Sequence, residues 1–184
     1  MPEALRPPPG DPPVSKLTGR IPAGTVALRP ASPVDDAFLR ALDGAVVTEQ
    51  LGLGGLPDGV RAQLLELQFT ARRRDRETRF PDADRQVILL DGASVGAVIL
   101  DRRADGFRVV DIALISPARR RRIAATVLAA VSAAADEAGC PVRAMAACEN
   151  NASRRLFEAA GFAQLGDDGV NVSLERPARR APPG

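Results

Sequence analysis

Apolar residues recur along this chain in short runs whose period switches repeatedly between two and 3.6 residues. Val26–Arg29 reads as a short strand. Ser32-Pro33-Val34-Asp35 follows as a helix start, with Ser as the cap, Pro at the first helical position, and Asp35 and Asp36 facing the positive end of the dipole. Phe38, Leu39 and Leu42 give that helix a buried stripe. A Gly-rich loop at Leu51–Leu56 separates it from a second helix opened by Pro57, which carries Leu64, Leu65, Leu67 and Phe69 and ends in the charged run Arg72–Arg79, read as a solvated face.

Three strands are predicted next. Gln86–Leu90 and Val95–Leu100 flank the hairpin signal Asp91-Gly92-Ala93-Ser94, and Phe107–Ile115 follows the turn Arg103-Ala104-Asp105-Gly106. Ile123–Ala138 has Ile123, Val127, Leu128 and Val131 at helical spacing and is stopped by Gly139. A strand at Pro141–Ala147, a helix at Ala152–Ala160 closed by Gly161-Phe162, and a strand at Val170–Leu174 complete the pattern. The order β-α-α-β-β-β-α-β-α-β predicts a three-layer α/β domain on a mixed sheet.

The 184 residues fit one domain. Six prolines stand in the first thirteen positions, so residues 1–24 are expected to form a flexible leader; residues 25–176 form the domain, and residues 177–184, with Arg179 and Arg180, a flexible basic tail. No run of apolar residues approaches the roughly 18 of a membrane span, and no signal-peptide pattern is present. Cys140 and Cys148 are too few for a disulfide framework, which fits a reducing cytoplasm.

Composition narrows the chemistry. The chain has no His, Tyr or Trp, so an imidazole base and a phenolic acid are excluded. Two cysteines without histidine make a zinc site improbable, and no metal is expected. Cys148 has no base to activate it and reads as a small strand-end residue. Asp111 is an acid within an apolar strand: a general base if burial raises its pKa, or otherwise a carboxylate on the exposed face or bridged to Arg108. Glu149, at the end of the next strand, is a second candidate base. Four arginines, Arg119, Arg120, Arg121 and Arg122, stand where a helix begins. Cations there oppose the dipole unless an anion is bound. The arginines elsewhere lack interleaved aromatics, so a nucleic-acid partner is not expected.

Taken together, the strand Val109–Ser116, the arginine loop, the helix after it, and the segment Asn150-Asn151-Ala152-Ser153-Arg154-Arg155-Leu156-Phe157 ending in Gly161-Phe162 resemble the GNAT superfamily of acyl-CoA-dependent N-acyltransferases. The resemblance covers about 150 residues and implies a GNAT-like three-layer α/β/α domain whose central mixed sheet is mostly antiparallel. It implies that a loop of pattern Arg/Gln-x-x-Gly-x-Gly/Ala holds the CoA pyrophosphate through its backbone N–H groups. With Arg119 leading, Arg122 and Ala124 take the two small-residue positions; with Arg120 leading, Ile123 and Ala125 do. The first register keeps the apolar helix face inward. The first Gly is replaced in either case. The family's Asn is matched by Asn150 or Asn151, its small residue by Ser153, and its Tyr by Phe157, which lacks the hydroxyl. A backbone N–H near Leu114 or Ile115 is implied to polarise the thioester carbonyl.

The implied donor is acetyl-CoA or another acyl-CoA, and the implied acceptor a small-molecule or peptide amine. Candidate macromolecular partners are an acyl carrier protein presenting the donor, another protein, or a second copy of the chain. The alternative is a GNAT-fold binding or scaffold protein that has lost catalysis, of the kind associated with phage-tail-like assemblies through a Phe-Pro-Asp-Ala-Asp segment, here Phe80–Asp84.

Overall fold

The computed structural model describes residues 18–21 and 24–179. Among the described residues, eight strands form one sheet in the order β1-β2-β3-β4-β5-β6-β8-β7. They are β1 (Thr18–Ile21), β2 (Gly24–Pro30), β3 (Asp84–Leu90), β4 (Ala93–Arg103), β5 (Gly106–Leu114), β6 (Val142–Ala147), β7 (Ala163–Asp167) and β8 (Asn171–Arg176). Neighbours run antiparallel except β5 and β6, which pair in parallel only at Phe107–Val109 with Val142–Ala144. Past Val109, β5 continues to Leu114 without β6 beside it. Helices α1 (Asp36–Gln50) and α2 (Asp58–Arg79) cover one face, and α3 (Ile123–Glu137) and α4 (Asn151–Ala159) the other. Among the described residues no helix is long and apolar enough to cross a membrane.

The start of α1 follows the sequence expectation with one change. Pro33–Asp35 forms a single 3-10 turn before the α-helix. Asp35 reaches back to accept the Ser32 N–H and hydroxyl, both at 2.9 Å, and a bidentate pair from Arg29 at 2.6 and 2.7 Å. These donors hold its carboxyl far below the usual carboxylate range, with Arg29 the main cause.

Two strands arise where none was expected. Thr18–Ile21, inside the stretch expected to be a leader, is an edge strand paired with β2 from Thr18↔Ala27 to Ile21↔Gly24. Ala163–Asp167 pairs with β8 although all five residues are exposed, so no alternation marks it. Residues 1–17, 22 and 23 of the expected leader, and residues 180–184 of the expected tail, lie outside the described residues, while Gly24 opens β2. At the other end, Arg176 is buried and forms a bidentate pair with Asp136 at 2.7 and 2.9 Å. The Arg179 N–H also donates to Asp136, at 2.6 Å.

One irregularity aims the site. β4 opposes Leu100 to Val109 and Ile99 to Asp111, leaving Val110 as an extra residue. Phe107 and Val109 point into the α3/α4 core, and strict alternation would send residue 111 there too. The bulge reverses the phase: Ile112 and Leu114 now face α3/α4, while Ala113 packs toward α1 and Asp111 opens on the α1/α2 face.

Candidate active site

β5 leads through the turn Ser116–Ala118 into Arg119–Arg122 and then α3. The four arginines do not act alike. Arg119 Nε donates to Leu114 O at 3.0 Å, and its guanidinium pairs with Glu49 near the end of α1 at 2.6 Å. It ties the loop to α1 and is not free to grip a ligand. Arg120, Arg121 and Arg122 are exposed and make no ion pair among the described residues. Arg120 and Arg122 both lie in the left-handed region, at φ 60° and 65°. Arg122 is the residue before the first helical position, so the conformation that favours glycine sits where the register led by Arg119 puts the replaced Gly. Arg122 offers no side-chain cap, and the first helical N–H to find a carbonyl is that of Thr126, on Arg122 O at 3.0 Å. The N–H groups of Ile123, Ala124 and Ala125 therefore point out of the helix end with positive potential behind them, the geometry that binds a phosphate. The Ile123 side chain itself is buried in the core. These groups fit the pyrophosphate of a CoA-type donor.

The two backbone donors implied near the end of β5 are not equivalent. The Ile115 N–H is taken by Val95 O at 3.0 Å, which corrects Ile115 as a candidate. Alternation in the antiparallel ladder then turns the Leu114 N–H away from β4, toward the gap that β6 leaves. Gly96, opposite Leu114, permits this approach of the strands, since a Cβ there would lie 2.3 Å from Ala113 O.

On α4, Asn150 caps the helix, its Oδ1 accepting the Ser153 N–H at 3.0 Å, while Asn151 is exposed in the first turn. Ser153 is half-buried. Phe157 is 3% exposed and packs edge-to-face on Phe162, ring centroids 5.1 Å apart, within the α3/α4 core. It does not line the cavity that holds Asp111. Glu149 lies in the exposed turn after β6, also outside that cavity, and the structure does not bring it together with Asp111.

That cavity, about 610 Å³, is walled by α1 and α2 and floored by β5, with Met145 and Asn171 at its far side. Asp111 opens into it with no hydrogen-bond partner among the described residues and no bridge to Arg108, which stacks over Phe80 instead at 5.5 Å. Asp111 itself is exposed, the alternative that the sequence left open, but the protein mass around the cavity partly desolvates its carboxyl and pushes its pKa up; Asp43 adds to the rise, while Arg76, Arg85 and Arg72 oppose it. Asp43 pairs with Arg85 at 2.6 Å through one oxygen, and its other oxygen is buried without a partner.

Sequence reasoning missed the α2 side of this site. Arg72 and Arg76 stand four apart, so they share one helix face, but nothing in the run Arg72–Arg79 indicates that this face lines a cavity. In the segment Phe80–Asp84, Phe80 lines the cavity, while Asp84 accepts from Arg102 at 2.6 Å and from Gln86 at 2.7 Å.

A model of the acetyltransferase (GNAT) family matches residues 60–162. No curated protein matches this sequence. Among solved structures, the PaiA N-acetyltransferase from Thermoplasma acidophilum in complex with coenzyme A is similar at 14% identity and TM-score 0.63, over 83% of this chain and 98% of that one. RimJ from Mycobacterium smegmatis in complex with CoA-disulfide is similar at 23% identity and TM-score 0.59, over 88% and 87%. A chimera of the spermidine N-acetyltransferase SpeG from Vibrio cholerae and hSSAT is similar at 15% identity and TM-score 0.57, over 83% and 95%. Likeness at these identities shows a shared fold.

Proposed function

The chain belongs to the acetyltransferase (GNAT) family, and on that premise we propose that it moves an acetyl or other acyl group from a CoA-type thioester to an amine, with Asp111 as general base. The observation that carries this reading is the placement of Asp111. It is an unpartnered acid in a cavity, turned there by a bulge, on the same strand as the unpaired Leu114 N–H.

The chemistry follows from those groups. The substrate enters as an ammonium ion, and the Asp111 carboxylate takes one proton from it. The neutral amine attacks the thioester carbonyl, whose developing oxyanion accepts the Leu114 N–H. The tetrahedral intermediate collapses with breakage of the C–S bond, releasing the thiolate of the donor and leaving a protonated amide nitrogen. That nitrogen passes its extra proton to the thiolate or to water. The sum is ammonium plus thioester giving amide, thiol and one proton. A thiol of pKa near 8.5 leaves without an acid, so Phe in place of Tyr at residue 157 does not block the reaction.

Exposed Arg120, Arg121 and Arg122 at the start of α3 support a phosphorylated donor. Acetyl-CoA at 100 times its dissociation constant should stabilise the protein by about 2.7 kcal/mol, and the triple variant Arg120→Ala, Arg121→Ala, Arg122→Ala should lose that gain. A parent protein that shows no thermal shift in millimolar acetyl-CoA would refute the proposal.

A further inference from the structure

The cavity beside Asp111 holds unmatched charges of both signs. On its α2 wall, Arg72 donates to Gln50 Oε1 at 2.7 Å and Arg76 Nε to Arg72 O at 3.3 Å, and neither pairs with a carboxylate among the described residues. On its floor and α1 wall, Asp111 has no partner and Asp43 has one buried oxygen to spare. Guanidinium groups next to an unpartnered carboxylate within one cavity would ordinarily close on each other. Here the acid and the arginines line different walls of a space of about 610 Å³, within the size range of small-molecule sites.

Resting on the acyl-transfer reading above, we infer that the acceptor is a free α-amino acid, an amine carrying its own carboxylate, with an apolar side chain. Its ammonium group meets Asp111, its carboxylate meets Arg72 and Arg76, and its side chain meets Val47, Leu65, Phe69 and Phe80. Such a molecule presents an ammonium to the unpartnered Asp111 and a carboxylate to Arg72 and Arg76, which like Arg108 have no acidic partner among the described residues. A polyamine or a lysine-rich peptide would bring further cations against arginines that lack counter-ions, a repulsion that selects against it. The reaction is the one already balanced: the amino nitrogen gains the acyl carbon and loses two protons, one to Asp111 and one to the thiolate or water. The carboxylate takes no part in bond-making and serves only to hold the nitrogen in line.

The test uses the full-length protein, saturating acetyl-CoA and release of free thiol. The acceptors are the proteinogenic α-amino acids and the amide of each. 3-Methylbutylamine serves as the leucine analogue without a carboxyl group, and spermidine and a lysine-containing peptide represent the other classes. An apolar amino acid should be acylated with a kcat/KM about 10- to 100-fold above that of its amide, the factor a charge-assisted contact supplies. Arg76→Gln should erase most of that ratio by raising KM for the amino acid, leaving KM for acetyl-CoA unchanged. Equal use of acid and amide, preference for spermidine or the peptide, or acetyl-CoA binding with no amino acid acylated would each overturn this inference while leaving donor binding intact. Failure to bind acetyl-CoA would overturn the underlying reading and this inference with it.

Discussion

The two faces of the sheet are built to opposite ends. Under α3 and α4, one continuous cluster runs from Val26 to Leu174, and α3 alone buries Ile123, Val127, Leu128, Val131, Ser132 and Ala135. Under α1 and α2, the fully buried cluster is Leu39, Leu42, Val87 and Ala97, and the 22 residues of α2 bury none completely. The first face gains the stabilisation of excluded apolar surface, about 1.5–3 kcal/mol for each large side chain. The second leaves a cavity, an unpartnered acid and unneutralised arginines. Close packing and open cavity are segregated by the thickness of one sheet, so damage to one face need not be damage to the other.

Asp111→Asn should break this comparison most sharply. Turnover should fall by about 10²–10⁴-fold, read by single-turnover kinetics, while the protein becomes more stable at neutral pH. The sign follows from the raised pKa. The native state binds the Asp111 proton more tightly than the unfolded chain, so the contribution of Asp111 is favourable below its ordinary pKa near 3.9 and is lost as pH rises through its folded value. The gain of the Asn variant should therefore vanish in thermal melts taken in acid.

Truncation should separate the faces next. Leu128→Ala, at 1% exposure, should cost about 3 kcal/mol in denaturant unfolding. Leu65→Ala, half-buried beside the cavity, should cost less than about 1 kcal/mol. Arg176→Ala would leave Asp136 without its bidentate partner and should cost about 2–3 kcal/mol with the cavity untouched. An effect opposite in sign to these truncations belongs to Arg122→Gly. Relief of a left-handed side chain should stabilise by about 1 kcal/mol and bring the loop backbone closer to the donor phosphates, read as tighter acetyl-CoA binding.

Where local pattern and tertiary burial coincide, the fold was legible from sequence: Ile123, Val127, Leu128 and Val131 mark α3, and Ser32 with Asp35 marks the entry to α1. β7 was not legible, because edge pairing with β8 holds an exposed Ala-Gln-Leu-Gly-Asp strand that has no alternation. The site divides the same way. Asp111 is conspicuous as an acid among Val109, Val110 and Ile112. Arg119 is not separable in sequence from its three neighbours, since its commitment to Glu49 spans from residue 119 back to residue 49. That Asp43, Arg72 and Arg76 line one cavity depends on how α1 and α2 lean over β5, which no local spacing encodes.

The extra residue in β5 has a consequence for how this gene can change. A substitution at Val110 would alter one side chain. Loss of its codon would remove the residue that has no partner, leaving Val109 opposite Leu100 and Asp111 opposite Ile99 in a regular ladder, with Asp111 still toward α1 and α2 and Ile112 and Leu114 still toward α3 and α4. A codon inserted or lost between Asp111 and Leu114 would instead turn every later side chain of the strand to the opposite face. Length can therefore change at one point of this strand and is held fixed beyond it.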